Sequence, residues 1–367
     1  MPASAVAATP PPPAAATSDR SGPQVTAISG ILIDGLDGKV LWAKDPRRRS
    51  AIASTTKILT ALIVIEKAQP SDIVTSSARA QSVGDNDPSV SELDLSAGEK
   101  LTVEQLLYGL LLPSANDAAV ALAEHTGGSI EGFAELMNAK AKTLGAVDSH
   151  FTNPNGLDDP GHYSSAFDLA LFARAAMRMP LFRKMVATRD RQIPWEGHPE
   201  GRALVNRNEL LTGYSGANGV KTGQTNKAGK TLVGSAKRGS EERISVVLGS
   251  DRPAADSQAL LEHGFRSFRR FQLAKLSQVW GQVTYGDGTS AELIALKDAT
   301  ALLDARSTAP KVSFNSKKLL LEADAGGLKA PVRMTCIPKP CRLPPKHDSG
   351  IFAAMMSLFA PLLSLAR

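Results

Sequence analysis

Three short stretches of this chain hold side chains whose types and spacing can do chemistry. In "IASTTKILT", residues 52–60, Ser54 and Lys57 stand one helical turn apart. "PSAND" holds Ser114 and Asn116, and "GVKTGQT" holds Lys221, Thr222 and Gly223. A serine hydroxyl becomes a useful nucleophile when a base takes its proton. A lysine one turn along a helix reaches that hydroxyl, and it acts as a base when burial and a second cation hold it partly neutral. Lys221 is a candidate for that cation. The competing reading makes Ser54 the cap of a helix. A capping box, however, has Glu or Gln three residues on, and Lys57 in the first turn faces the positive end of the helix dipole, at a cost of about 0.3–1 kcal/mol. Lys57 therefore needs a reason other than helix stability.

The remaining residues of these stretches complete an acyl-transfer site. The Ser54 N–H, at a helix start, can face an oxyanion, and the Gln224 N–H on the following strand edge offers a second donor. Gly223 leaves room for substrate beside that strand. Asn116 can fix Lys57 and bond a substrate amide. Ser114 can pass a proton to the leaving group. Lys221 and Thr222 can meet a substrate carboxylate. No other serine in the chain is followed by lysine three residues later. The three motifs also come in order on a helix start, an inter-helix loop and a strand, which makes their combination specific.

The elements that must position these residues are legible from periodicity. "VTAISGILIDGLDGKVLWAKDP" reads as a β-hairpin about Asp37-Gly38. Helical patterns follow in "ASTTKILTALIVIEKA" and in "LTVEQLLYGLLLP", where Thr102 and Gln105 form a capping-box pattern. They continue in "NDAAVALAEHTGG", "SIEGFAELMNAKAKTLG" and "SSAFDLALFARAAM". From about residue 203 the pattern turns to strands, "GVKTGQT", "GKTLVGSAKR" and "ERISVVLGS", and "DSQALLEHGFRSFRRF" reads as a closing helix. The fold class is α/β of the α+β type, an antiparallel sheet flanked by helices with a small all-β C-terminal domain. The expected organisation is an Ala/Pro tail over 1–23, a catalytic domain over 24–272, a β-rich domain over 273–346 and an amphipathic helix over 347–367.

The 43% hydrophobic content supports a sizeable core, and the net charge of +6 with a pI near 9.3 suits an anionic partner. No arginine–aromatic interleaving points to nucleic acid. The six histidines form no metal-ligating pattern, and neither a metal nor a cofactor is expected. His150 and His162 flank a loop and read as structural or solvated. Arg266, Arg269 and Arg270 read as a solvated helix face. Cys336 and Cys341 in "TCIPKPC" either close a small disulfide loop or stay as free thiols. The N-terminal tail has neither the basic start nor the apolar run of a signal peptide. Ile351–Leu365 carries no charge, is short for a bilayer span, and has a narrow polar stripe at Gly350, Ser357 and Ser364. It reads as a helix lying in a membrane interface rather than a buried C-terminal helix.

"STTK", "SAN" and "KTG" resemble the three motifs of the penicillin-binding D-alanyl-D-alanine carboxypeptidases of low molecular mass. "LLYGLLLPSANDAAVALAEHTGG", "HFTNPNGLDDPGHYSSAFDLALFARAAM" and "NGVKTGQTNKAG" extend that resemblance over about residues 25–270. The resemblance implies a β-lactamase/DD-peptidase-like fold, with Ser54 as acylated nucleophile, Lys57 as base and Ser114 as proton relay. Asn116 would bind Lys57 and substrate, and Lys221, Thr222, Gly223 and Gln224 would line the substrate side. Arg207, in "NRN", matches an arginine that holds the terminal carboxylate, and Arg252 lies where another active-site arginine is found. The implied substrate is a peptidoglycan stem peptide ending in D-Ala-D-Ala, with β-lactams as inhibitors and a location outside the cytoplasmic membrane. A DD-endopeptidase would share the site. A class A β-lactamase would need a deacylating glutamate, where "NPNGLDDPGHY" offers Asp158 and Asp159. A non-catalytic wall-binding protein would not need the three motifs intact.

Overall fold

The computed structural model describes residues 22–84, 90–277, 279–284, 290–296, 298–305, 311–315, 320–325 and 328–337. The Ala/Pro tail as far as residue 21, Cys341 and the C-terminal segment 347–367 lie outside the described residues. Asp34 builds the first turn. Its Oδ1 accepts the N–H of Leu36 and of Asp37, and Gly38 takes φ +80°. Strands β1 (Ser29–Asp34) and β2 (Val40–Lys44) pair antiparallel across it, as the Asp37-Gly38 pattern predicts. A 3-10 turn, Ala53–Thr56, then leads into α1 (Lys57–Lys67).

Next come β3 (Ile73–Thr75), α2 (Ala78–Gln81), β4 (Lys100–Thr102) and α3 (Val103–Leu111), with β3 and β4 paired. The predicted capping box closes α3: Thr102 Oγ1 accepts the Gln105 N–H while Gln105 Oε1 accepts the Thr102 N–H. Helices α4 (Asn116–Gly127), α5 (Ile130–Thr143), α6 (Ala166–Ala176) and α7 (Pro180–Ala187) follow. Ser129 caps α5 and Ser165 caps α6. A hairpin of β5 (Asp190–Trp195) and β6 (His198–Val205), which the periodicity does not predict, precedes the short α8 (Leu210–Gly213). Most of its side chains are exposed, so no apolar alternation marks it.

The strands β7 (Ala217–Thr225), β8 (Gly229–Arg238) and β9 (Glu241–Leu248) complete one sheet of order β2-β1-β9-β8-β7, and α9 (Pro253–Ser267) follows. The two ends of the domain share this antiparallel sheet through the β1–β9 pairing, Ser29 opposite Leu248 to Asp34 opposite Arg243. Alternation along the strands sends Ile31, Ile33, Ile244 and Val246 into the helical core. Leu32, Arg243 and Ser245 meet α9 on the other face through Gly264 and Ser257. Helix α1 runs through the core with residues 57–64 all buried and packs on α3, α4, α5 and α6. This helix carries Lys57 at its first position.

The chain divides into two compact units, Met1–Phe265 and Arg266–Arg367. In the second, the strands are β10 (Phe268–Ala274), β11 (Val279–Thr284), β12 (Ser290–Ala295), β13 (Ala299–Asp304), β14 (Lys311–Asn315), β15 (Leu320–Ala325) and β16 (Leu328–Ile337). They form an antiparallel pair β10-β13 and an antiparallel sheet β11-β12-β16-β15-β14. The expected helix through "FRRF" is corrected here. Arg269 and Arg270 lie on β10 opposite Leu303 and Leu302, and only Arg266 belongs to α9. Alternating apolar and long polar residues satisfy either period over so short a run, and pairing with β13 decides for the strand.

Candidate active site

Ser54 sits inside the 3-10 turn and caps nothing: neither Ile52 nor Thr56, the residues before the turn and before α1, makes a side-chain capping bond. The turn is held by other means. Thr55 Oγ1 donates to the Ile52 carbonyl at 2.6 Å, and Ala53 takes φ +49°, a strained value for a residue with a side chain. Ser54 is half-buried, while Thr55, Thr56 and Lys57 behind it are buried.

Gly223 explains how β7 reaches this turn. A Cβ built there would lie 2.6 Å from Thr231 Oγ1, 2.9 Å from the Ser54 backbone nitrogen and 3.1 Å from Ala53 Cβ. The space that a glycine leaves is taken by the serine's own turn, not by substrate as the sequence reading expected. Strand β7 is the edge of its sheet, so one side of it carries no neighbouring strand.

Lys57 is fully buried, and its Nζ reaches four oxygens: Ser54 Oγ at 2.8 Å, Asn116 Oδ1 at 2.7 Å, the Asn155 carbonyl at 3.0 Å and Ser114 Oγ at 3.4 Å. The Asn116 amide has one orientation here, because its Nδ2 donates to the Ser91 carbonyl at 3.2 Å. Burial holds the Lys57 amine well below the ordinary lysine range, and the charges of Lys221 and Arg207 push it further down. Asp117 opposes them. Its carboxylate is buried and accepts the N–H groups of Leu93, Leu95 and Ala118. Lys221 is buried too; desolvation first, and Arg207 second, bring it down to about 7. Its Nζ donates to the Thr222 carbonyl at 3.0 Å. Ser114, in the break between α3 and α4, takes φ +73°, and Asn116 opens α4.

A neutral amine has two N–H donors and one lone pair. Asn116 Oδ1 and the Asn155 carbonyl are obligatory acceptors. They use both donors, which leaves the lone pair for the Ser54 hydroxyl at 2.8 Å. The arrangement can therefore take the serine proton as the hydroxyl oxygen attacks a carbonyl.

The other predicted residues are distributed as follows. Arg207 is exposed, and its N–H donates to the Leu112 carbonyl at 3.3 Å, next to the α3–α4 break. Its charge acts on both lysines. Thr222 is half-buried and Gln224 is exposed on β7. Arg252 is exposed just before α9, and no hydrogen bond or ion pair among the described residues joins it to Ser54, Lys57 or Lys221.

Residues 153–162 form a loop whose contact with Lys57 the sequence reading does not identify. Beyond the Asn155 carbonyl, Pro154 accepts the Thr60 hydroxyl at 2.6 Å. At Gly156 φ is +86°, and a Cβ there would lie 2.0 Å from the Ala53 carbonyl oxygen. His162 is buried and structural. Thr152 N–H donates to its Nδ1 at 3.2 Å, so the ring proton sits on Nε2 and donates to Thr56 Oγ1 at 2.8 Å. Burial lowers its pKa to about 4, which keeps the ring neutral. His150 is exposed, with Nδ1 against the Gly161 carbonyl at 2.6 Å. Among the described residues no group of His, Cys, Asp and Glu is arranged to hold a metal ion.

Residues 15–252 match the family model Peptidase S11, described as D-alanyl-D-alanine carboxypeptidase. The chain is similar to the D-alanyl-D-alanine carboxypeptidase DacF of Bacillus subtilis, with 38% identity over 71% of this chain and 68% of that one. It is 34% identical to the D-alanyl-D-alanine carboxypeptidase DacA of Haemophilus influenzae, over 84% of this chain and 79% of the relative. Among solved structures, penicillin binding protein 5 from Haemophilus influenzae superposes with a TM-score of 0.74 at 30% identity, over 86% of this chain and 98% of that one.

Proposed function

The chain belongs to the D-alanyl-D-alanine carboxypeptidase family, Peptidase S11, and from that premise we propose how its own residues carry out the reaction. It is a serine-type hydrolase that releases the terminal D-Ala from peptides ending in D-Ala-D-Ala, and it binds penicillin. Ser54 Oγ attacks the carbonyl carbon of the penultimate D-Ala while Lys57 Nζ takes the hydroxyl proton. The N–H groups of Ser54 and Gln224 hold the oxyanion. As the C–N bond breaks, the proton passes from Lys57 through Ser114 to the leaving amine. Water then adds to the ester, the bond to Ser54 Oγ breaks, and the serine recovers its proton. Asn116 holds Lys57 in line and bonds the substrate amide. Lys221 and Thr222, with Arg207 and more remotely Arg252, receive the terminal carboxylate.

The observation that carries this reading is the set of partners around Lys57. Its two obligatory acceptors and its buried, doubly cationic setting favour an amine with a free lone pair aimed at Ser54. The test is fluorescent penicillin on the purified protein. Label is expected at Ser54, and Ser54→Ala is expected to lose both label and D-Ala release. Unlabelled parent protein, or D-Ala release by Ser54→Ala, would overturn the assignment.

Stable acylation by β-lactams, rather than their rapid hydrolysis, is the expected outcome, and the loop that would have to supply a deacylating carboxylate supports it. Asp158 Oδ1 accepts Thr225 Oγ1 and Oδ2 accepts the Lys227 N–H, while Asp159 Oδ1 accepts the Gly161 N–H. Both side chains are thus engaged away from Lys57. The substrate is the stem peptide of peptidoglycan, and the enzyme works outside the cytoplasmic membrane. Residues 349–367 associate with the membrane surface; the charge-free run Ile351–Leu365 and its polar stripe support this. Among the described residues no helix is long and apolar enough to cross a membrane. Flotation with anionic vesicles tests the association, and a chain that floats equally well without residues 349–367 would refute it.

A further inference from the structure

Asp158 is exposed, yet both of its oxygens are engaged by the turn between β7 and β8. Thr225 Oγ1 donates to Oδ1 at 2.7 Å, and the Lys227 N–H donates to Oδ2 at 3.2 Å. The same Thr225 oxygen accepts the Ala228 N–H at 3.1 Å, which closes the turn. Thr225 follows Gln224 and ends β7, so this contact holds the strand end next to the second oxyanion donor.

The other side of the contact leads to the base. Asp158 closes a loop whose conformation is set from within. Asn153 Oδ1 accepts the Gly156 N–H at 2.7 Å, Asn155 Oδ1 accepts the Leu157 N–H at 3.1 Å, and Asn153 Nδ2 donates to the Leu157 carbonyl at 3.1 Å. The Asn155 carbonyl of this loop is one of the two obligatory acceptors of Lys57. Asp158 is thus the side chain through which the loop that orients the base grips the strand that receives the oxyanion. Gln224 is on the open edge of the sheet, and β8 supports it from one side only. Beyond the packing of Gly223 against the Ser54 turn, the tie from the loop restrains the strand end.

We propose that Asp158 is a positioning residue that sets the spacing between the Gln224 N–H and Ser54 by tying the Asn153–Leu157 loop to the end of β7. The proposal rests on the reading of Ser54, Lys57 and Gln224 given above. The tie acts on the transition state more than on substrate capture, because the group it positions is an oxyanion donor. Misplacement of an oxyanion donor by under an ångström is enough to slow acyl transfer by about tenfold to a hundredfold.

The experiment compares the full chain with Asp158→Ala, Asp158→Asn, Thr225→Val and the double variant Asp158→Ala/Thr225→Val. It measures kcat and KM for release of D-Ala, the penicillin acylation rate and the melting temperature. Asp158→Ala is expected to lose about tenfold in kcat with KM within about twofold. Thr225→Val should also lose rate, and the double variant should lose less than the product of the two single losses, because both changes cut the one contact that Thr225 Oγ1 and Asp158 Oδ1 share. Asp158→Asn keeps an acceptor for Thr225 and should recover part of the rate. Kinetics within about twofold of the parent, losses that multiply in the double variant, or a loss matched by a drop in melting temperature with no change in the kcat-to-KM split would each overturn the proposal. If Asp158→Ala does not fold, Thr225→Val carries the same prediction. A parent protein that neither releases D-Ala nor takes up penicillin fails at the earlier reading, whereas an active parent with unaltered variants fails only here.

Discussion

Under the mechanism proposed above, Gly223→Ala is expected to displace Ser54 without removing any side chain assigned to the reaction. Its new Cβ would sit 2.9 Å from the Ser54 backbone nitrogen and 2.6 Å from Thr231 Oγ1. Ordinary contacts of a methyl carbon begin near 3.5 Å, so the serine turn or β7 must give by about half an ångström. The Ser54 nitrogen is backbone in a strained turn and has no rotamer to escape into. Overpacking of this kind costs about 1–3 kcal/mol, which lowers the melting temperature of a domain of this size by about 2–10 °C. With Ser54 in the role proposed above, the same movement misplaces both its hydroxyl and its N–H, and should slow penicillin acylation by about a hundredfold. Thr231→Ala removes one of the two clashes and leaves the other. If displacement of Ser54 is the cause, the double variant Gly223→Ala/Thr231→Ala recovers stability but not the acylation rate. The assay is stopped-time labelling with fluorescent penicillin beside a thermal melt. Acylation of Gly223→Ala within about twofold of the parent, or full rescue of the rate by Thr231→Ala, would refute the reasoning.

Two further outcomes follow from the buried charges. Lys57 and Lys221 are both held below their unfolded pKa values, Lys221 at about 7. Above that value the unfolded chain binds more protons than the folded one. The Lys221 contribution is therefore least favourable below pH 7 and improves from there up to the ordinary lysine pKa, and Lys57, shifted in the same direction, adds a contribution of the same sign. Melting temperatures measured across that window should carry a rising component that Lys221→Met flattens, and an identical profile for Lys221→Met would contradict the assignment. The second concerns Arg202 and Glu99, a buried pair in which Nη1 meets Oε1 at 2.5 Å and Nη2 meets Oε2 at 2.9 Å. Arg202→Met strands the carboxylate and should cost about 3–5 kcal/mol in a denaturant melt, with part of the loss recovered by adding Glu99→Gln; equal melts for parent and Arg202→Met would exclude it.

The helices and the main sheet are legible because they rest on short-range rules. The Thr102–Gln105 capping box, the serine caps of α5 and α6 and the Asp37-Gly38 turn each involve residues within a few positions of one another. The β5–β6 hairpin and the strand through Arg269 and Arg270 lack such a signature. One is mostly solvent-facing, and the other is decided by β13, far along the chain. Gly223 shows a different gap. A glycine on a predicted strand is visible in sequence, but which atoms occupy the space it leaves depends on how β7 and the Ser54 turn meet.

By itself the sequence determined which side chains could react: Ser54 and Lys57 at one-turn spacing, Ser114 and Asn116 before a helix, and Lys221 to Gln224 on a strand. It also determined that a cation at the start of α1 had no use in capping. What only the tertiary structure decided is the state of that cation. Lys57 is held below the ordinary lysine range because burial, Lys221 and Arg207 act together, and Asn116 and the Asn155 carbonyl take up its donors. Those groups come from α4, the loop before α6, the turn after β6 and the edge strand. Desolvation and charge repulsion depend on distance in space and not along the chain, so no local pattern around Lys57 encodes them.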